Sequence, residues 1–179
     1  MILPATPFIP GEYRIKHTER RWELDGCLAL RRRVFCEEQA IFDGDDQDAL
    51  DPTAITIAAI TCVAAIPERV VGTVRINQHE HGLWSGSRLA VDASYRRCAW
   101  LGSELIRHAV STAHARGCRH FLAQVQVQNV CLFERLHWHS LRRIEVQGRP
   151  HVLMQPDLAH YPPRTEPELR FITGLRSAA

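Results

Sequence analysis

The chain has 179 residues, a formal net charge of +2, a hydrophobic fraction of 45% and a charged fraction of 23%. That length buries one sizeable core, and the composition is that of an ordinary globular domain, which excludes collagen-like, coiled-coil and disordered organisation. The small charge gives no footing for nucleic-acid binding, and no run reaches the roughly 20 apolar residues a membrane-spanning helix needs.

After a short extended stretch around Tyr13, residues 19–38 place Leu24, Cys27, Leu28, Val34 and Phe35 at helical spacing. The run DGDDQDALD, residues 43–51, has turn composition, and Pro52 stops a helix from crossing it, so an exposed loop is expected there. AITIAAITCVAAI and RVVGTVRINQ read as two strands of a hairpin separated by Pro67 and Glu68, and LWSGSRLAV reads as a third strand. SELIRHAVSTAHAR carries Leu105, Ile106, Ala109, Val110 and Ala113 on one helical face, with Gly117 where a C-terminal cap belongs. HFLAQVQVQ alternates, Phe121, Ala123, Val125 and Val127 against Gln124, Gln126 and Gln128. A short helix over residues 130–136 and two strands near 140–146 and 151–154 follow. From Pro156 onward, Pro162, Pro163 and Pro167 punctuate a polar tail. Six cysteines without a CxxC pair, and no basic leader ahead of an apolar core, point to free thiols in a cytoplasmic protein.

The junction RLAVDASYRRCAWLGSELI carries the chemistry. A strand ending at Val91, an arginine-bearing turn and a long amphipathic helix present unpaired backbone N–H groups and a positive dipole end to an anion. Arg97-Cys98-Ala99-Trp100-Leu101-Gly102 resembles the pyrophosphate loop of the GNAT superfamily: arginine or glutamine, two residues, glycine, one residue, then glycine or alanine. Trp100 stands in place of the first glycine, and Arg96 lies beside Arg97. LRRRVFCEEQAIF, VVGTVRI and QNVCLFERLHW resemble the first-helix, third-strand and closing motifs of the same family. Together they cover roughly residues 12–155, and the whole looks most like a bacterial subgroup named for nitrogen starvation. The resemblance implies an α/β fold with a mixed, mostly antiparallel sheet of six to seven strands, splayed centrally and flanked by about four helices. It makes residues 1–155 a GNAT acyltransferase domain and leaves residues 156–179 as a proline-rich extension.

It also implies an activity, transfer of an acetyl or other short acyl group from acyl-CoA to the amine of a small-molecule acceptor, with acetyl-CoA as co-substrate. Neither nucleic acid nor a membrane enters as a partner, and a homodimer is compatible with the sequence. Such transfer needs a polarised thioester carbonyl, an uncharged amine and a stabilised thiolate. The resemblance maps backbone contacts for the acyl group to Leu89, Ala90 and Val91, and pyrophosphate contacts to Arg96, Arg97, Cys98, Ala99, Trp100, Leu101, Gly102 and Ser103. Asn129 matches an asparagine that touches CoA, although a helix cap explains it equally well. Phe133 takes the place of the tyrosine that protonates the thiolate in many members, and Ser85 falls where many carry a glutamate base. Substitutes for that base are Glu38, first in order, and His79, Glu80 and His81. The acidic run would form one lip of the acceptor site and favour a cationic substrate. Cys118, His120, Cys131, His137 and His139 fit no zinc spacing, and Ala54 stands where a calcium loop needs its closing glutamate, so no metal is expected. Two other readings stay open: an acyl-CoA-binding regulator that has lost catalysis, motivated by Phe133 and the missing glutamate, and an autoinducer-synthase-like acyltransferase.

Overall fold

In the computed structural model, residues 10–97 and 99–173 are described. Along the chain run β1 (Glu12–His17), α1 (Arg21–Arg31), β2 (Ile55–Val63), β3 (Ile66–Glu80), β4 (Leu83–Val91), α2 (Ala99–Ala115), β5 (His120–Gln126), α3 (Val130–Arg135), β6 (Trp138–Val146), β7 (Arg149–Pro156) and β8 (Glu168–Ile172). The strands form one open sheet in the order β6, β7, β5, β4, β3, β2, β1, β8. Neighbours are antiparallel except β4 and β5, which run parallel. This is the expected mixed sheet with eight strands instead of six or seven, and with three α-helices described instead of four.

Strand alternation decides which side of the sheet each helix covers. From β2, Ile57 and Ala59 join the core that holds Leu101, Leu105, Ile106, Ala109, Val110 and Ala113 of α2. Ala58 and Ile60 point the other way and pack with Cys27 of α1. The apolar face read from the α2 sequence is thus the buried one. The helix lies so close to the sheet that a Cβ at Gly72 would meet Leu105 Cδ1 at 2.8 Å and Ala59 Cβ at 3.2 Å. Gly117, at φ +84°, ends α2 as the cap position demanded.

At its start, α1 is fixed by Glu23, whose carboxylate accepts hydrogen bonds from the backbone N–H of Glu19 and Arg20 and from Lys16 Nζ. Its continuation is not α-helical: Arg32–Glu38 forms a π-helix, with the Gln39 N–H reaching Val34 O at 3.0 Å. The hairpin between β2 and β3 also differs from expectation. Its turn is Ala64 and Ala65, at φ 49° and 64°, while Pro67 lies inside β3 opposite Cys62. Two consecutive left-handed residues match the right-handed twist of a hairpin, a role alanine seldom fills. Val127 lies past the end of β5 and is 48% exposed.

Beyond Pro156 the chain returns across the α2 side. Tyr161 is buried, donating to Leu136 O and accepting from Trp138 Nε1. The Arg164 N–H donates to Ser111 O, and β8 pairs with β1 from Glu12↔Ile172 to Lys16↔Glu168. Among the described residues no helix is long and apolar enough to cross a membrane.

Candidate active site

The parallel pair β4 and β5 is joined only from Leu83↔His120 to Gly86↔Ala123. Past Gly86 the strands part, which leaves the β5-facing edge of β4 without a strand partner among the described residues from Ser87 to Val91. On its other edge β4 bulges against β3. Thr73 pairs with Ala90 and Arg75 with Ser87, so Arg88 and Leu89 together oppose Val74. Arg88 takes the left-handed conformation at φ 56°, an uncommon state for a side-chain-bearing residue that collects at functional sites.

A cavity of about 530 Å³ occupies the opening. From the α2 side it is lined by Trp84, Ile106, Ala109, Val110, Phe133 and Trp138. The opposite side carries Arg75, His79, Ser85, Ser87, Gln124 and Gln126 from the other face of the same strands. Phe35, Ile41, Phe42 and Leu50 roof that polar face, and His151 and Leu153 of β7 close it.

Several residues expected to hold the cofactor gather here. Leu89, Asn129 and Phe133 line the cavity, and Ala90 and Val91 follow on the free edge of β4. Asn129 is the N-cap residue of α3 yet makes no side-chain cap bond, so capping does not account for it. Phe133 sets its ring edge-on to Trp138 at 4.9 Å. At the N-terminus of α2, Leu101 is fully buried, and the Trp100 ring packs against Tyr13 at 5.1 Å and Phe171 at 5.5 Å, toward β1 and β8. The indole in the glycine position therefore does not cover the helix end. A Cβ at Gly102 would meet only Val91 Cγ2, at 3.9 Å. Arg96 donates to Val91 O and to Glu38, whereas Arg97 is exposed and makes no ion pair among the described residues. Ser103 lies in the first turns of α2; Cys98 falls outside the described residues.

Three of the four expected base candidates do not line the cavity. Glu38 is ion-paired with Arg96 at 2.5 Å, and Glu80 and His81 are exposed at the β3–β4 turn. His79, the fourth, does line it, with Nε2 2.7 Å from Ser85 Oγ. Period-two alternation puts Arg75, Asn77 and His79 on one face of β3, opposite Ser85 and Ser87, which is the signal that marks them. His151, missed in the sequence, is buried at the cavity wall and donates from Nδ1 to Arg149 O.

The acidic run proves to be a structural element. Asp46 is 2% exposed and lies 2.8 Å from both Arg31 Nε and Arg88 Nε. Asp48 takes both ends of the Arg75 guanidinium, at 2.6 and 2.9 Å, and one bond from Arg88. Asp51 accepts from Arg31 at 2.6 Å and lies 3.0 Å from Arg75. Three carboxylates thus meet three guanidiniums. Bonds from Arg75 hold Asp48 below the ordinary carboxylate range. Burial pushes Asp51 upward, but the bonds from Arg31 outweigh it and the group ends far below its usual value. Of the five acids expected to form an open lip, Asp46, Asp48 and Asp51 turn inward to arginines, and only Asp43 and Asp45 stay exposed without an ion pair among the described residues. Among the described residues no three His, Cys, Asp or Glu side chains gather as a metal ion requires.

With a bulged β4 parted from a parallel β5, the geometry meets its relatives. The family model described as the acetyltransferase (GNAT) family matches residues 25–138. The chain belongs to the GNAT acetyltransferase family. Solved GNAT-like structures share the fold at low identity. One is a Lactobacillus plantarum protein taken to be an N-acetyltransferase, with TM-score 0.71 and 20% identity over 80% of this chain and 97% of that one. An acyl-CoA N-acyltransferase from Pseudomonas aeruginosa gives 0.65 and 20% over 80% and 98%. An aminoglycoside 6'-N-acetyltransferase in complex with coenzyme A gives 0.60 and 15% over 79% and 94%. Comparison with curated protein sequences gives no match.

Proposed function

We propose that this GNAT chain transfers an acetyl or other short acyl group from acyl-CoA to the amine of a small-molecule acceptor. The observation that carries the reading is the cavity that passes between the parted strands, joining the free edge of β4 to the polar face. In this reading the pantetheine arm bonds along Leu89, Ala90 and Val91 as a missing strand would. The pyrophosphate meets Arg97 and the backbone from residue 98 to Ser103, with Arg96 close by. Leaving Gly102 without a side chain keeps that approach open. The complex of an aminoglycoside acetyltransferase with coenzyme A supports the same co-substrate. The resemblance to the nitrogen-starvation subgroup names no acceptor and adds no chemistry.

His79 is the proposed general base, acting through the Ser85 hydroxyl at 2.7 Å. It takes a proton from the ammonium of the acceptor. The freed amine nitrogen attacks the thioester carbonyl, a C–N bond forms, the nitrogen gives its second proton to water, the C–S bond breaks and the thiolate leaves. Phe133 has no proton to give, so water protonates a thiolate whose pKa is near ~8.5. Glu38 is assigned to holding Arg96 rather than to proton transfer.

Phe133 also favours a second reading, an acyl-CoA-binding regulator without turnover. Calorimetry with acetyl-CoA, followed by thiol release on adding amines, separates the two. Binding with amine-dependent thiol release is the expected result; binding with none across an amine panel supports the regulator, and no binding removes both.

A further inference from the structure

Resting on the transferase reading, we infer that the acceptor is a monoamine with an apolar, ring-bearing body, not a polyamine or other multiply charged amine. The first ground is charge. Among the described residues Asp48 is the only carboxylate lining the cavity, and both its oxygens are held by Arg75 and Arg88. Those two guanidiniums and that of Arg31 are in turn held by Asp46, Asp48 and Asp51, so the six groups cancel. A second ammonium entering this space would lose its water and find no free counter-charge, a cost that only pairing offsets. The reacting amine escapes that cost because it gives up its proton at His79 and Ser85.

The second ground is shape. Phe35, Ile41, Phe42 and Leu50 face Leu122 and Leu153 across the acceptor side, forming apolar walls beyond the polar groups. The Arg88 guanidinium carbon lies over the Phe42 ring, 4.6 Å from its centroid, which sets an aromatic face into one wall. A ring inserted there gains edge or offset contacts with Phe42 and Phe35. The volume of about 530 Å³ lies within the ~300–1,000 Å³ usual for small ligands.

The test compares 2-phenylethylamine with spermidine at saturating acetyl-CoA, following thiol release. The expected result is a kcat/KM for 2-phenylethylamine about 10-fold or more above that for spermidine, the size a well-fitted apolar contact supplies. Phe42→Ala should raise the KM for 2-phenylethylamine by about 10-fold, while calorimetry shows acetyl-CoA affinity unchanged. Leu153→Ala, on β7, is the second variant if the loop change disturbs folding. Equal or better use of spermidine, or turnover of neither amine by a protein that binds acetyl-CoA and releases thiol with another amine of the panel, overturns the acceptor assignment alone. A protein that fails to bind acetyl-CoA overturns the transferase reading beneath it.

Discussion

Arg31 and Asp46 each keep 1% of their side chains exposed, so neither has water to fall back on. Breaking such a pair leaves a buried, unpaired charge, which typically costs ~3–5 kcal/mol. Arg31→Met should therefore lower unfolding free energy by about that much in urea titrations at pH 7, an order of magnitude more than loss of the exposed pair Arg21–Asp25 through Arg21→Met. A cost under ~1 kcal/mol would show that the network adds nothing to stability. The sign with pH follows from the depressed carboxyls of Asp48 and Asp51. Their stabilisation is complete above the ordinary carboxylate pKa of ~3.9 and is lost as pH falls through their lower folded values. At the reacting centre the expectation is kinetic. His79→Gln should reduce kcat by ~10²-fold or more, with acetyl-CoA affinity preserved, because a general base acts on the amine and not on CoA binding. Unchanged kcat would remove His79 from proton transfer. The acidic run and His79 stand out in the sequence, but the partners of the acids do not: Arg31, Arg75 and Arg88 lie far from it along the chain and meet it only because α1, β3, β4 and the loop fold together.

Elements with a strong local period were legible, and those whose form depends on distant partners were not. The α2 apolar face and the β5 alternation each repeat within one segment, so periodicity exposes them without tertiary information. The Ala64–Ala65 turn has no turn residue to announce it, and β8 has a single pairing partner, β1, more than 150 residues earlier in the chain. That returning arm has a pH-sensitive contact. His108 of α2 is fully buried; its Nε2 donates to Pro167 O at 3.3 Å, and its Nδ1 has no hydrogen-bond partner. Its ring lies 5.3 Å from that of His17. Burial first, then the neighbouring His17, lowers the His108 pKa from 6.5 to about 4. Between those values the unfolded chain binds a proton that the folded chain does not, so stability falls as pH drops from 6.5 toward 4. Full titration corresponds to ~3 kcal/mol at ~1.4 kcal/mol per unit. His108→Gln keeps a donor for Pro167 O but cannot titrate, and it should flatten the difference in unfolding free energy between pH 7 and pH 5. Equal slopes in the variant and the parent would exclude His108 as their source.

At the scale of the whole molecule, the parted sheet predicts a coupling between ligand and fold. Pantetheine bonded to Leu89–Val91 and a pyrophosphate at the end of α2 would tie β4 to the helix that packs across β3 and β2, so acetyl-CoA should stabilise the native state as a unit. The junction that suggests this was the most legible part of the site, since a strand, an arginine turn and a helix adjoin in sequence. The acceptor face was legible only in outline. Ligand at about 100 times its dissociation constant adds ~2.7 kcal/mol. For a chain of this size that is a rise in melting temperature of roughly 5–10 °C. Gly102→Asp should melt near the parent temperature without ligand, because a Cβ there meets only Val91 Cγ2 at 3.9 Å. With acetyl-CoA it should show no rise, since a carboxylate at the helix N-terminus repels the pyrophosphate that the dipole attracts. Arg97→Ala should retain a smaller rise, its affinity weakened by ~1.5–3 kcal/mol through loss of one charge-assisted bond. Thermal melts of the three proteins with and without acetyl-CoA decide it: a full rise in Gly102→Asp would place the pyrophosphate away from the N-terminus of α2, and the loop assignment would fall with it.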